Sequence, residues 1–273
     1  MELASIHFYP VKSTAGHDVH EAEVQPWGLA ADRRYLVTDG QGGLLTAREH
    51  PMLLACVAQL DGDTLTLTGP HAPPLRVTPT MPAVMTTVDV WRTPVELTDC
   101  GDDAARWLSD LIGRPARLAW LDDPTRRPVN PEYGLPGDRV SLADGYPLLL
   151  TTTASLGRLN DWIAETAAER GEEVPAPLPM HRFRPSVVID GVERPFAEDD
   201  WKRLRIGAVT FRVTKGCDRC VLTTIDTATY TKGKEPIRTL SRHRKWDGKV
   251  WFGINLIPDA PGTITVGDSV TIL

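Results

Sequence analysis

Lys215-Gly216-Cys217-Asp218-Arg219-Cys220-Val221-Leu222-Thr223-Thr224-Ile225-Asp226 holds two of the chain's four cysteines, three positions apart, with an arginine against the second. A thiolate is a soft metal ligand, and a neighbouring guanidinium lowers the cost of keeping it ionised. The β-branched run after Cys220 predicts an extended segment. A Cys-x-x-Cys pair has three meanings. Structural zinc calls for two further Cys or His ligands, usually as a second close pair; there is none, His243 is isolated and His181 is distant in sequence. A thioredoxin-type dithiol sits at a helix start, whereas Val221 to Ile225 reads as extended. The third meaning is a single metal-ligating thiolate with a structural partner cysteine. Cys56, in the apolar run Leu53-Leu54-Ala55-Cys56-Val57, reads as a buried small hydrophobe, and Cys100 reads as structural too. A disulfide between them would be out of place in a reducing compartment.

Upstream lie Phe183-Arg184-Pro185-Ser186-Val187-Val188-Ile189, Ala31-Asp32-Arg33-Arg34-Tyr35-Leu36-Val37 and Tyr9-Pro10-Val11-Lys12-Ser13. Each puts a cation or hydroxyl at a strand end. Taken singly, each cation reads as a solvated surface charge. Together with Arg219 they would make a phosphate cradle if they converge.

The rest of the chain reads as mostly β. Short alternating runs such as Thr64-Leu65-Thr66-Leu67-Thr68 and Thr86-Thr87-Val88-Asp89-Val90-Trp91 are separated by Gly and Pro, as in a barrel or sandwich. A helix is expected from near Asp103, with Ala104, Trp107, Leu108, Leu111 and Ile112 on one face and Gly113 at its end. Residues 122–140 read as a long Pro-, Asp- and Arg-rich loop. Ser155 to Ile163 and Glu235 to Arg244 are expected helices, and Leu204 to Thr214 a hairpin turning at Gly207. The 273 residues are 41% hydrophobic, enough for a substantial core, and the formal charge of −6 argues against nucleic acid as the main partner. No run approaches the ~18 apolar residues of a membrane span. The N-terminus lacks the basic and apolar regions of a signal peptide, so a soluble, cytoplasmic protein is expected.

These stretches in combination, with Lys234-Glu235-Pro236 and the closing Pro261-Gly262-Thr263-Ile264-Thr265-Val266-Gly267-Asp268, resemble the MOSC family, named for the molybdenum cofactor sulfurase C-terminal domain. The first part resembles the MOSC N-terminal β-barrel domain. The resemblance covers essentially the whole chain and is greatest to amidoxime-reducing members. It implies a β-barrel-like domain over 1–121, a linker over 122–140 and a MOSC β-barrel over 141–273. It implies a molybdenum–molybdopterin cofactor with the Cys220 thiolate as the one protein ligand to molybdenum and Cys217 not bound to it. By the same match Lys12, Ser13, Arg33 and Arg184 would hold the cofactor's phosphate and pterin, and Asp218 and Arg219 would contact it. Gly145 and Tyr146 match a further lining stretch. Arg219 is expected to ease ionisation of the Cys220 thiol. The cofactor is expected in a cleft, with Lys12 and Arg33 on one side and Arg184, Arg219 and Cys220 on the other.

The implied activity is reduction of N-hydroxylated compounds (amidoximes, hydroxylamines, N-hydroxylated bases), with Asp218 as a proton-delivery candidate. A molybdenum-cofactor or sulfur carrier is the alternative, and a zinc-stapled binding domain the third reading. The family also carries an association with pyridoxal phosphate binding. The chain ends at Leu273 without cysteines for an iron–sulfur cluster, so electrons are expected from separate proteins of flavin-reductase, ferredoxin or cytochrome type. Three positions depart from the family pattern: Asp218 for a common serine, Ser186 for a common asparagine and Asn255 for a tyrosine of the mitochondrial members. They bear on substrate choice more than on cofactor binding.

Overall fold

The computed structural model describes residues 1–70, 72–79 and 84–273. The chain is mostly β and divides into two compact units that interleave in sequence. The N-terminal unit comprises Phe8–His17 and Ala30–Tyr146; the C-terminal unit comprises Met1–His7, Asp18–Leu29 and Pro147–Leu273. Cuts at 121 and 141 follow the chain, whereas the packing does not. The reason is the first strand, β1 (Glu2–Phe8), which pairs antiparallel with Val187–Asp190 and so carries the chain's start into the C-terminal unit.

In the N-terminal unit, β2 (Tyr35–Thr38), β3 (Met85–Asp89), β4 (Pro94–Asp99) and β5 (Arg117–Trp120) form an antiparallel sheet in the order β3-β4-β5-β2, extended by Leu44–Leu45. Leu36, Val88, Val90, Val95, Leu97, Ala119, Leu121 and Leu142 make its core. Each of the valines and leucines taken from water contributes about 1.5–3 kcal/mol before chain entropy is set against it. A second antiparallel sheet joins Val57–Asp61, Thr64–Gly69 and Ala72–Val77. The alternation at 64–68 is realised: Leu65 and Leu67 are fully buried. Helix α1 (Asp102–Ile112) buries Ala104, Ala105, Trp107 and Leu108. Gly113 ends it in the left-handed conformation (φ 69°), its N–H bonded to Ser109 O at 2.8 Å.

The C-terminal unit is built on β6 (Leu148–Thr152), β7 (Val187–Asp190), β8 (Arg203–Ile206), β9 (Val209–Asp218), β10 (Lys249–Pro258) and β11 (Val270–Ile272). The sheet runs His17–Val19, β1, β7, β6, β10, β9, β8, β11, with β6 and β7 parallel. Leu3 N to Asp268 O (2.9 Å) and Val270 N to Met1 O (3.0 Å) bring its far end back to β1, closing the sheet on itself. Helices α2 (Thr153–Glu169) and α3 (Ile237–His243) pack around Leu159, Ile163, Phe183, Phe196, Leu240 and Phe252. The Thr152 side chain caps α2 at the Ser155 N–H, 3.1 Å away. Against β10, β9 shifts register between Val213 and Lys215 and again between Gly216 and Asp218. Such bulges bend a strand and re-aim its side chains, here at the end that leads into Cys220. No helix among the described residues is long and apolar enough to cross a membrane.

Candidate functional site

In the C-terminal unit, β9 delivers Cys217, and Arg219 N bonds to Val250 O at 2.7 Å, holding the strand's end against β10. Cys220 follows as the N-cap of a short 3-10 helix, Val221–Thr224. The extended segment expected there is therefore corrected to a helical turn. The threonines drive it: Thr223 Oγ1 donates to Cys220 O (3.0 Å) and Thr224 Oγ1 to Val221 O (2.7 Å), each reaching back three residues. Both cysteines are half-buried and Asp218 is exposed, 3.3 Å from Lys215 Nζ.

Arg219 ties this loop to a second one. Its Nη1 donates to Cys217 Sγ at 2.9 Å and its Nη2 to Phe183 O at 2.6 Å. The guanidinium expected beside the Cys220 thiol thus donates to Cys217. In an extended strand, residues i and i+2 share a face, which puts Arg219 with Cys217, while Cys220 lies round the turn. The Nε–H of Arg219 is buried and has no acceptor among the described residues. Phe183 is fully buried and stacks on Phe252 with ring centres 4.0 Å apart. Arg184 follows it in the left-handed conformation at φ 55°, a costly backbone state for a residue with a Cβ. Arg182, which the sequence reading passed over, is buried and laces the same two loops. Its Nε donates to Thr223 O and its Nη1 meets Asp226 Oδ2, both at 3.1 Å. Its signal was there in His181-Arg182-Phe183-Arg184, a second cation in the same short stretch. Asn255, buried on β10, donates to Gly216 O at 3.2 Å and steadies the strand ahead of Cys217. Ser186 Oγ accepts from Leu149 N at 3.3 Å, joining β6 to the start of β7.

In the N-terminal unit, Lys12 is buried, donates to Leu142 O at 2.9 Å and forms an ion pair with Asp144. Burial pulls its pKa down to about 8 in spite of the Asp144 carboxylate, with Arg127 and Arg48 adding to the fall. Lys12, Arg48 and Arg127 hold the Asp144 carboxyl well below its usual range. Arg48 Nη2 reaches Asp144 at 3.0 Å, and Arg48 and Lys12 both lie over the Trp91 ring, at 4.4 and 5.5 Å. Buried Arg127 donates to Ala143 O (2.5 Å) and Asp144 O (3.3 Å), which fixes the loop leading to Gly145 and Tyr146. Tyr146 is itself buried, edge-on to Tyr133. Arg33 pairs with buried Asp32 and lies 4.2 Å from the Tyr9 ring, while Asp32 accepts the Tyr9 N–H at 2.8 Å. Ser13 (φ 71°) and Arg33 (φ 46°) are left-handed, as Arg184 is in the other unit. Strain of this kind persists where the surroundings over-determine it, and it gathers at functional positions.

Among the described residues, no group of three or more His, Cys, Asp or Glu side chains could hold a metal ion. The zinc reading of Cys217 and Cys220 therefore has no ligand set among them. A metal that brings its own sulfur donors asks for less, a single soft thiolate.

The MOSC N-terminal beta barrel domain matches residues 1–115, and the MOSC domain matches residues 137–271. The chain is 35% identical over 292 residues to mitochondrial amidoxime-reducing component 1 of Homo sapiens, covering 99% of this chain and 82% of that one. To the Mus musculus protein of the same name it is 32% identical over 290 residues, with 99% and 82% covered. To the molybdenum cofactor sulfurase of Danio rerio it is 33% identical over 269 residues, which take in 94% of this chain and 31% of that one.

Proposed function

The chain belongs to the MOSC family, and from that premise we propose that it is a molybdenum-cofactor-dependent reductase of N-hydroxylated compounds. The similarity to an amidoxime-reducing component over 99% of this chain supports the reading. The observation that carries it is the Arg219 side chain. It joins the Cys217–Cys220 loop to Phe183 and leaves one buried N–H without an acceptor, as a site for an anionic pterin would. The residues present fit such a group: one half-buried thiol at Cys220, and the guanidiniums of Arg219 and Arg184 on the two joined loops.

We assign Cys220 as the thiolate ligand, and Arg219 and Arg184 as the anion ligands of the C-terminal unit. Lys12, Ser13 and Arg33, with Gly145 and Tyr146, are the corresponding assignments within the N-terminal unit. When bound, the cofactor supplies the two-electron change by which an N–OH oxygen leaves as water. Asp218, exposed beside Lys215, is the assigned proton donor to that oxygen. Two electrons and two protons are consumed per N–O bond broken, the electrons coming from separate one-electron carriers or a flavin reductase.

Protein from a molybdenum-replete host should carry stoichiometric molybdenum, release a fluorescent oxidised pterin on acid extraction, and reduce benzamidoxime with reduced viologen. A molybdenum-loaded preparation without turnover overturns the reductase, and zinc without molybdenum overturns the cofactor reading. One observation favours a second reading, a sulfur carrier: the guanidinium at Cys217 would stabilise an anionic sulfur there. Cofactor retained in Cys220→Ser together with lost sulfur transfer would mark the carrier.

A further inference from the structure

Ser241-Arg242-His243-Arg244-Lys245-Trp246-Asp247-Gly248-Lys249 is a dense basic run in a chain of net charge −6. It ends α3 and forms a hairpin in which Lys245–Trp246 pairs with the start of β10, Trp246 opposite Lys249. The two turn residues, Asp247 (φ 52°) and Gly248 (φ 71°), are both left-handed, the pattern of a tight two-residue hairpin. The tip is therefore preorganised. It carries an exposed indole, Trp246, at 43% of its free surface.

Trp246 is stacked on Trp251, with ring centres 5.7 Å apart and planes 20° from parallel, and its carbonyl accepts the Trp251 indole N–H at 3.1 Å. Trp251 is buried and lies against the strand that leads to the cysteines. A Cβ added at Gly216 would stand 3.1 Å from the Trp251 ring, so the missing side chain admits the indole next to Cys217. In register, Trp251 faces Asp218. Lys249 and Lys215 lie 5.7 Å from the Trp251 ring, and Arg244 lies 4.7 Å from Trp246. Arg244 and Lys215 are engaged with Asp199 and Asp218, and Arg242 approaches Glu169. Lys245 and Lys249 have no carboxylate within ion-pair distance among the described residues, so their charge faces outward.

We propose that the 245–249 hairpin is the docking surface for a small acidic one-electron carrier protein, with Trp246 as its central anchor and Lys245 and Lys249 as its charged rim. An aromatic anchor ringed by cations is the arrangement that binds an acidic partner quickly and reversibly. The Trp246–Trp251 stack leads from that surface to the strand that bears Cys217 and runs on to Cys220. Electron tunnelling falls steeply with distance, and this is the side on which a docked carrier would lie close to the cysteine segment. The proposal rests on the reductase reading, since a carrier of this kind is needed only if the chain consumes electrons.

The test uses the full chain and an acidic plant-type [2Fe–2S] ferredoxin as probe. Affinity measured by titration calorimetry should fall at least about tenfold in Lys245→Glu/Lys249→Glu and about tenfold in Trp246→Ala. It should also fall with rising salt, as screening demands. In steady state, the charge-reversed protein should show a raised KM for ferredoxin and unchanged benzamidoxime turnover with reduced viologen, which needs no docking. Wild-type protein that does not bind the ferredoxin, or charge-reversed protein that binds it equally well, overturns the proposal. Loss of viologen turnover in the wild type would instead overturn the reductase reading, while the calorimetric arm still reports on docking.

Discussion

The ammonium of Lys12 faces a carboxylate, whereas the guanidinium of Arg219 faces a sulfur and a carbonyl. Both residues were expected to hold the same anion, yet their surroundings differ in kind. Lys12 is buried, already neutralised by Asp144, and close enough to losing its proton that its pKa is about 8. Arg219 has no carboxylate within ion-pair distance among the described residues and holds one donor in reserve. A cation balanced by its own carboxylate attracts an incoming anion weakly unless that carboxylate yields. Asp144 is placed to yield, since its side chain is 59% exposed and Arg48 offers it a second partner. Arg219 needs no such exchange. The anion grip of the C-terminal unit should thus be constitutive and that of the N-terminal unit conditional.

The largest expected effect lies outside this contrast and anchors it. Cys220→Ser should reduce molybdenum per chain below roughly a tenth of wild type and benzamidoxime turnover at least about 100-fold, because a hydroxyl is a hard, poorly ionised substitute for thiolate. The thermal midpoint should hardly move, since the replaced atom is half-buried and of similar size. Arg219→Ala comes next. It removes one hydrogen bond within the cysteine loop and one that joins it to Phe183, a loss of about 1–3 kcal/mol in stability, and should cut retained pterin about tenfold. Lys12→Met should cut pterin retention less than Arg219→Ala does. Equal losses in pterin fluorescence from the two variants would abolish the proposed asymmetry.

What was legible in the chain was local. The alternation at Thr64 to Thr68, the apolar face of α1 and its Gly113 stop all follow from periodicities that a few neighbouring residues set. The interleaving of the two units was not legible, because β1 finds its partner some 185 residues away, and no short-range pattern encodes that pairing. At the cysteine segment, β-branched residues pointed to a strand while their hydroxyls closed a helical turn. The same side chains carry both tendencies, and only the fold decides between them. The residues that most change the reading of the site, Asp144 and Arg182, stand beside Gly145 and Arg184, which the resemblance names. Their importance comes from partners more than 40 residues away in sequence: Lys12 for Asp144, and Thr223 and Asp226 for Arg182.

A smaller effect is expected at Asp218. The carboxylate is exposed, and its pair with Lys215 contributes at most about 1 kcal/mol. Asp218→Asn should leave stability and molybdenum content unchanged. Turnover should fall about tenfold, less than for an enclosed general acid, because water reaches the same position. Unaltered turnover across the pH range would remove Asp218 from proton delivery.

The smallest effect tests the conditional half of the contrast through pH. Folded Lys12 loses its proton near pH 8, whereas the unfolded chain holds it to about 10.5. Between these values the unfolded state binds more protons, so stability of the N-terminal unit rises with pH across that window and gains nothing from this lysine below it. The gain has an upper limit of roughly 3 kcal/mol. Lys12→Met should remove that part of the slope while leaving stability at neutral pH no lower than that of wild type, because a charge held at a cost has been withdrawn and Asp144 retains Arg48. Denaturant midpoints of the two proteins from pH 7 to 10.5 measure the difference. Parallel curves would mean that Lys12 is not held near neutrality of charge, and its anion grip would then be as constitutive as that of Arg219.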